Sequence, residues 1–401
     1  MTTPSNTLLT PTVIAKEALM QLTNNLGMAG HVHRAYKNEF VKVGQTITVR
    51  KPNKFRATKS NTRANTDLVE PSTSITMSTQ AHVSWSFYSV DLTTTVEDYS
   101  KRYINPATAA LANQVDADLC GLYVDVFNYA GTPGVTPATF KVLGDAQTIL
   151  DEEAAPQEGR VAILNPAANW AMADGLKGTF AQKMADSIMT KGYLGTVANL
   201  SIFMDQNIAR HTTGAFTAGA TPLMNGATVT GAAVFVTNGW SGSNTVRAGD
   251  IFTVAAVNQV NPMSGISTGN LKRFVIRTNT ADAGADMATM PIAPTLVYAS
   301  GNALSNVDAV PLTTAGLTFV GTESTVYPQN LIFHPNAFAL VTVPLEMPAN
   351  VWGARETDPD AGISIRVVKQ YDIVEDQEII RMDILYGVKT LYPELAVRLF
   401  G

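Results

Sequence analysis

The clearest helix signal in the chain lies at residues 105–126, which read NPATAALANQVDADLCGLYVDV. Asparagine favours the cap of a helix and proline its first turn, so Asn105 and Pro106 mark a helix start. Apolar side chains then recur at spacings of three and four on one helical face, at Leu111, Val115, Leu119, Leu122 and Val126. The pattern predicts a helix of roughly six turns that ends before Gly131, about 35 Å long at 1.5 Å per residue.

A shorter helix is predicted before it, starting at Pro11. Residues 1–9 are polar, and Gly27 stands near the expected end of this helix. The apolar residues that follow Pro11 recur every fourth position, at Ile14, Ala18 and Leu22. We therefore expect an amphipathic arm helix.

Between these helices the pattern changes to the alternation that is typical of β-strands. Residues 45–50 and 74–88 alternate apolar and polar side chains. Residues 53–66 contain no apolar side chain except Phe55 and two alanines. Two strands that flank a tip unable to bury itself predict a long projecting hairpin.

The tip of this hairpin is basic. Six cations and no acid lie between Gly44 and Asp67, although the whole chain has a net charge of -5. The candidate subunit-interface residues are these six: Arg50, Lys51, Lys54, Arg56, Lys59 and Arg63. Such segregation indicates an acidic partner, which is either the acidic face of a neighbouring subunit or nucleic acid. A loop that is merely solvated is the remaining alternative.

The residues after this long helix predict a compact α+β domain. We expect a helix over residues 137–153, a buried strand at 160–164, a helix opened by Asn165 and Pro166, and a strand near 202–204.

From Gly214 to about Thr325 the amino-acid composition changes, because small and polar residues dominate and helical periodicity is absent. Short β-type runs separated by turn residues predict an all-β barrel or sandwich. Longer apolar runs return after Pro328, so this module is expected to be inserted into the host domain. Its expected core is Val229, Val234, Phe235, Ile251, Phe252, Val254, Phe274, Ile276, Leu296, Val297 and Phe319.

The composition limits the classes of function. Hydrophobic residues make up 45% and charged residues only 15%, so much of the surface is expected to be covered by something other than water, for which neighbouring subunits are one candidate. A net charge of -5 argues against a protein that coats DNA over a broad face. The single cysteine, Cys120, is expected to be buried and fits a reducing cytosol. No signal peptide or membrane span is expected.

The sequence contains only weak candidates for catalytic or metal-binding motifs. Residues 265–269 match the G-x-S-x-G pattern around Ser267, but a strand rather than a helix is expected next, so we interpret them as a turn. His31 and His33 have no nearby cysteine or acid cluster that would complete a metal site.

Two acidic clusters, at residues 151–153 and 358–360, are interpreted as solvated or subunit-facing acids, the first at a helix end. We therefore expect no enzymatic activity, no catalytic residue, no cofactor and no metal.

Several stretches of the chain carry a family resemblance. They are VGQTITVRKP at 43–52, RAGDIFTV at 247–254, residues 330–345, GISIRVVKQY at 362–371 and LYGVKTLYPELA at 385–396. They resemble the coat proteins of the Salmonella phage P-22 family of tailed bacteriophages, which have the Hong Kong 97 capsid fold.

The resemblance implies an α+β, Hong Kong 97-like fold with an inserted all-β, barrel-like domain. Its expected parts are an N-terminal arm at 1–40, an extended loop hairpin at 41–90, the spine helix, itself at 105–129, with the peripheral and axial domain at 91–221, the inserted domain at 222–324, and a return to the axial and peripheral domain at 325–401. The expected function is that of a major capsid protein, which self-assembles through a procapsid into the icosahedral head around the packaged DNA.

The implied partners are further copies of the chain in hexamers and pentamers, a scaffolding protein, a portal protein and, by non-specific contact, packaged double-stranded DNA. A decoration protein is left open, and assembly is expected in the host bacterial cytoplasm. Some relatives cross-link through a lysine of the extended loop. No motif here identifies an asparagine acceptor, so noncovalent locking is expected.

Two other functions are compared with this one. A β-rich surface or receptor-binding protein would bind through residues 222–324, and a hydrolase would use Ser267.

Overall fold

The computed structural model describes residues 11–34, 46–52, 54–56, 59, 61–62, 70–88, 100–176, 194–216, 221–226, 228–241, 244–281, 286–298, 304–349, 351–358 and 362–401. Two compact units are formed, the first by residues 1–49, 72–119 and 338–389, and the second by 50–71, 120–337 and 390–401. The predicted polar start at 1–9 and the predicted interface residue Arg63 lie outside the described residues.

The described α-helices are α1 (Pro11–Asn25), α2 (Asn105–Cys120), α3 (Phe140–Glu152) and α4 (Pro166–Leu176). The described strands are β1 (Thr46–Arg50), β2 (Ser72–Thr76), β3 (Thr79–Tyr88), β4 (Tyr129–Ala130), β5 (Val161–Leu164), β6 (Thr196–Val197), β7 (Leu200–Met204), β8 (Arg210–Thr212), β9 (Leu223–Met224), β10 (Ala232–Asn238), β11 (Thr245–Val246), β12 (Ile251–Val260), β13 (Ser267–Ile276), β14 (Thr280–Ala281), β15 (Asp286–Leu296), β16 (Leu317–Phe319), β17 (Val326–Pro328), β18 (Asn330–Phe333), β19 (Phe338–Thr342), β20 (Trp352–Thr357), β21 (Ser364–Asp372), β22 (Gln377–Thr390) and β23 (Ala396–Leu399).

In the first unit the arm helix forms as predicted. Helix α1 begins at Pro11 and buries one face, which contains Ile14, Ala18 and Leu22, against β20 and β21. The segment after α1 is held by Asp116 of α2, whose carboxylate accepts hydrogen bonds from the backbone N–H groups of Gly27 at 2.7 Å and Ala29 at 2.8 Å. Backbone donors beyond a helix end that would otherwise be unsatisfied are paired in this way.

The main sheet of the first unit contains β3, β19, β20, β21 and β22, with the long strand β22 hydrogen-bonded to both β21 and β3. Asp383 of β22 is fully buried and accepts hydrogen bonds from Arg366 and Arg381, both at 2.7 Å, and from Gln80 at 3.0 Å. Burial alone would raise the pKa of this carboxyl. The three donors outweigh burial and leave the pKa of Asp383 below its ordinary value.

The hairpin prediction requires a correction. Its stem is β1 paired with β2, but the predicted strand 74–88 is divided at Met77 and Ser78 into β2 and β3. Strand β3 pairs instead with β22, about three hundred residues away. Alternation of side chains specifies a strand and its buried face, whereas it does not specify the partner strand.

The spine helix is also shorter than predicted. A π-helical turn at Ser100–Ile104 leads into α2, and the α-helix ends at Cys120, followed by a 3-10 turn at Gly121–Asp125. Its α-helical part is therefore about 24 Å long at 1.5 Å per residue. The helix ends earlier because Tyr129, its predicted last residue, belongs to β4, and β4 pairs in parallel with β23.

In the second unit a mixed sheet runs in the order β4-β23-β18-β5-β7-β6. Helices α3 and α4 form where predicted, and Asn165 caps α4 by accepting a hydrogen bond from the Ala168 N–H at 2.8 Å. A contiguous core joins the helices to the sheet, and it includes Leu143, Leu150, Leu164, Met172, Leu176, Ile332 and Val397.

The predicted β module is a six-stranded antiparallel barrel in the order β16-β12-β13-β15-β10-β9. It closes between its first and last strands, because the Met224 N–H donates to the Ala315 carbonyl and the Leu317 N–H to the Pro222 carbonyl, both at 2.9 Å. Closure removes the unpaired edges that an open sheet would expose.

The barrel core differs in part from the predicted list. Phe235, Phe252 and Phe274 are fully buried, whereas Val229 is 70% exposed and Val234 also faces outward. Alternation identifies two faces of a strand and leaves open which face is enclosed when the barrel closes. Buried residues that the prediction omitted are Phe216, Met224, Trp240, Val246, Val257, Met290, Ile292, Val307 and Leu317.

The barrel is entered and left through paired strands. Strand β8 leads in and β17 leads out, and they pair antiparallel with His211 opposite Tyr327. Entry and exit at the same point are the geometry of an insertion.

The acids at 151–153 also require a correction. As predicted, they end a helix, but Glu153 is buried and pairs with buried Lys272 at 2.8 Å, and Asp151 pairs with Arg160 at 2.6 Å. These two acids are therefore intramolecular partners of buried cations, which would be costly to leave unpaired. For the second acidic cluster, Pro359 and Asp360 lie outside the described residues.

Candidate functional site

The candidate site is the basic tip, which we define as Arg50, Lys51, Lys54, Arg56 and Lys59, the described members of the predicted set. Its base is the β1–β2 stem, where the Arg50 guanidinium lies 3.3 Å from the Glu70 carboxylate with both side chains exposed. An exposed pair of this kind contributes about 0.2–1 kcal/mol. Glu70 therefore leaves the positive charge of the tip largely available.

Lys51 is the most enclosed lysine of the basic tip. Its ammonium lies 4.6 Å from the centre of the Tyr392 ring, and its backbone N–H donates to the Pro71 carbonyl at 2.7 Å. Burial lowers the pKa of Lys51, the Glu394 carboxylate opposes that change, and the neighbouring cation Lys54 adds to it.

Arg56 contacts the barrel of its own chain. Its Nε donates to the Pro262 carbonyl at 3.4 Å and its Nη2 to the Ser305 carbonyl at 3.1 Å. Burial lowers the pKa of Arg56, which nevertheless stays charged at neutral pH. The tip predicted to project is therefore partly docked on the barrel, within the second unit.

Lys54 and Lys59 are exposed. Lys54 stands with Lys51, Glu153 and Glu394 at the edge of a cavity of 560 Å³. The rest of the lining is mostly apolar and comprises Pro52, Phe55, Pro71, Ala154, Pro262, Met263, Leu304, Tyr392 and Leu395. Phe55 is 63% exposed and Met263 71%, so the basic tip lies beside an open apolar surface.

Sequence reasoning identified the cations and missed the groups that hold them. Tyr392, Glu394 and the carbonyls of Pro262 and Ser305 are more than two hundred residues from the tip in sequence. A backbone carbonyl acceptor has no sequence signature, so no signal along the chain would have found these contacts.

The other sites considered from the sequence have structural roles in the described residues. Ser267 is the first residue of β13, not the start of a helix, and its hydroxyl donates to Asp308 at 2.9 Å. His33 joins β19 through backbone hydrogen bonds with Phe338 and Leu340. Within the ranges described above, no three or more His, Cys, Asp or Glu residues are grouped as metal ligands. Cys120 is buried, as predicted.

One polar cluster was not predicted. The Tyr123 hydroxyl lies 3.1 Å from His211 Nδ1, and His211 Nε2 lies 2.7 Å from the Asp250 carboxylate. The adjoining cavity, lined also by Arg398, measures 10 Å³, which is about enough for a single water molecule. The cluster therefore supports the base of the barrel and offers no space for a substrate.

Comparison with known proteins identifies the family. The model of the family described as P22 coat protein, gene protein 5, matches residues 1–401. The chain belongs to the P22 coat protein family. It is a structural major capsid protein, a subunit that associates with copies of itself to form the icosahedral head of a bacteriophage. Its place is the virion capsid.

The family match confirms the resemblance found in the sequence and the predicted capsid function. The mixed helix and sheet architecture with its inserted barrel confirms the predicted α+β, Hong Kong 97-like fold class.

Solved structures of phage capsid proteins are also similar to the chain. Mycobacterium phage Che8 matches with 14% identity and a TM-score of 0.47, covering 93% of this chain and 90% of that one. The capsid of Ralstonia phage GP4 matches with 7% identity and a TM-score of 0.44, covering 94% and 90%. The CUS-3 coat protein I-domain has 21% identity and a TM-score of 0.20, covering 26% of this chain and 99% of that one. None of the curated proteins compared matches the chain.

Among the helices of the described ranges, none has the length and apolar character that crossing a bilayer requires.

Proposed function

We propose that the basic tip is a contact between neighbouring subunits of the shell. The observation that supports it is the segregation of charge, since six cations and no acid lie between Gly44 and Asp67 in a chain of net charge -5. Lys54 and Lys59 are exposed and available to a partner. A segregated positive segment favours an acidic surface and disfavours a second copy of itself.

A matching acidic surface exists on the first unit. The turn between β21 and β22 has four acids and no cation from Asp372 to Glu378, and its two apolar residues Ile373 and Val374 are 83% and 87% exposed. Apolar side chains at an exposed turn, ringed by charge, are typical of a protein contact. The proposed pairing is therefore the basic tip of one subunit with this acidic turn of another.

Non-specific contact with packaged double-stranded DNA is the second candidate for the basic tip. Its support is the same charge, because phosphates attract any exposed lysine cluster. The exposed apolar residues Phe55 and Met263 beside the tip favour a protein partner, since DNA contacts are more polar than this surface.

The remaining parts of the proposal follow from family membership and the sequence. The subunit assembles in the host bacterial cytoplasm into hexamers and pentamers, with a scaffolding protein and a portal protein as partners, and it has no catalytic role. The expected division at residues 40, 90, 221 and 324 belongs to the same proposal, as does noncovalent locking of the shell.

Charge reversal tests the contact. Lys54→Glu with Lys59→Glu should raise the concentration needed for shell assembly about 2- to 5-fold, because exposed pairs contribute up to about 1 kcal/mol. Lys141→Glu is the control, since Lys141 is equally exposed on α3 and lies outside the basic tip. Assembly is measured by light scattering and electron microscopy.

The partner is identified by compensation. Glu375→Lys, added to the two reversed lysines, should restore assembly if the acidic turn is the partner. Assembly of the reversed variant at the wild-type concentration, with unchanged salt dependence, would show that the tip is only solvated. Loss of DNA retention with normal shells would favour the nucleic acid.

A further inference from the structure

We propose that the loop at residues 261–265, together with the Ser305 carbonyl, is a guanidinium-binding site that keeps the basic tip docked on the barrel of its own subunit, and that release of Arg56 from it is a step in shell assembly. The inference rests on the proposed function, because a tip that contacts a neighbouring subunit must first be free to reach it.

The site matches the shape of a guanidinium group. Two carbonyl oxygens, those of Pro262 and Ser305, receive the Nε and Nη2 donors of Arg56. Gly265 completes the site, because its positive φ of +73° and missing side chain let the guanidinium lie against the backbone. A Cβ at this position would lie only 2.8 Å from Arg56 Nη1. The planar fork of arginine suits two fixed acceptors, whereas a lysine ammonium does not reproduce it.

The loop is held by contacts that do not involve Arg56. The Asn261 side-chain oxygen accepts hydrogen bonds from the backbone N–H groups of Met263 at 2.9 Å and Ser264 at 3.0 Å, and the Asn261 carbonyl accepts from the Gly265 N–H at 2.9 Å. The Ser305 hydroxyl donates a hydrogen bond to the Val307 carbonyl at 3.1 Å, which holds the segment that carries the Ser305 carbonyl. The acceptors are therefore positioned before the arginine arrives, which lowers the entropic cost of binding.

The contact is suited to reversal. The 3.4 Å distance to the Pro262 carbonyl lies beyond the usual 2.7–3.2 Å range of an N–H···O bond, so that bond is weak, whereas the 3.1 Å bond to the Ser305 carbonyl lies within the range. One edge of the guanidinium faces the two carbonyls and Nη1 lies against Gly265. Bidentate pairing with a carboxylate of another subunit therefore competes with docking.

The variant Arg56→Lys separates docking from charge. It keeps the positive charge that the subunit contact uses and loses the fork that the two carbonyls receive. Lys141→Arg is the matched control, because Lys141 is an exposed cation of α3 that lies outside the basic tip, so it tests a lysine–arginine exchange without touching the proposed contact.

Hydrogen exchange on dilute full-length subunits is the first measurement. With Arg56→Lys, amides of residues 54–56 should exchange about tenfold faster, as expected for the loss of hydrogen bonds from a charged donor. Amides of residues 263–265 should be unchanged, because Asn261 and not Arg56 holds that loop. With Lys141→Arg both sets of amides should exchange as in the wild type. Equal exchange of residues 54–56 in Arg56→Lys and Lys141→Arg would show that the docked state is not populated in solution and overturn the inference.

Assembly kinetics are the second measurement. The lag before light scattering rises should shorten in Arg56→Lys and stay unchanged in Lys141→Arg. An unchanged or longer lag with faster exchange would show that docking occurs but that its release does not limit assembly, which also overturns the inference. The proposed function is tested separately by Lys59→Glu, which slows assembly only if the tip contacts another subunit.

Discussion

Removing one ring from the barrel core should unfold the barrel selectively. Phe252 is fully buried, and its ring centre lies 5.5 Å from that of Phe319, 5.8 Å from Phe274 and 6.2 Å from Phe235. Phe252→Ala removes these contacts and leaves a cavity that four closely packed strands cannot fill. The expected loss is about 3–5 kcal/mol in the free energy of unfolding of the barrel.

Hydrogen exchange of the full-length chain measures this loss locally. A loss of about 3–5 kcal/mol corresponds to a fall of roughly 150- to 5,000-fold in the protection of barrel amides. Protection in the sheet of β18, β23 and β5 should change far less, because its core is a separate cluster. Val229→Ala is the control, since Val229 is 70% exposed and should change protection by less than about threefold. Similar protection in Phe252→Ala and Val229→Ala would refute the assignment of Phe252 to the barrel core.

Two further predictions concern the pH dependence of the first unit and the extent of the barrel. Because hydrogen bonds hold the folded pKa of Asp383 below its ordinary value of 3.8, its stabilising contribution is present above that value and is lost as the pH falls through the folded pKa. Exchange of β22 amides should therefore accelerate below about pH 4 in the wild type, and this acceleration should be absent in Asp383→Asn. The excised segment 210–328 should unfold in a cooperative thermal transition, measured by circular dichroism, at a higher temperature than the segment 222–324. The shorter segment lacks Phe216 of the barrel core and the β8–β17 pair. Equal transition temperatures, or no transition in either segment, would contradict this.

Only part of the candidate site could be predicted from the sequence. Charge is a property of residue types, so the segregation of six cations at the tip could be counted directly. The docking of Arg56 depends on backbone carbonyls at Pro262 and Ser305, and any residue supplies a carbonyl. A projecting tip was predicted because a segment with so few apolar side chains is not expected to be buried. The composition of the segment does not show that a few of its polar groups can still bind another part of the chain.

The start positions of the helices could be predicted from the residues at those positions. Proline at position 11 and the Asn165–Pro166 pair started α1 and α4 where expected, because capping and the fixed φ of proline act within one turn. Short β-type runs separated by turn residues likewise identified the β module at 214–325 and six of the fifteen buried residues in its core. These features depend on neighbours only a few residues apart.

Tertiary structure decided the rest. The pairing of β3 with β22, the closure of the barrel by Met224 and Ala315, and the buried pair of Glu153 with Lys272 all join residues far apart in the chain. Alternating side chains show that a segment needs a partner strand, and a buried charge shows that it needs an opposite charge. Neither identifies the partner, because many strands or charges in the chain meet the same requirement equally well. Only the packing of the complete chain, in which every strand edge and buried charge must be satisfied together, selects among them.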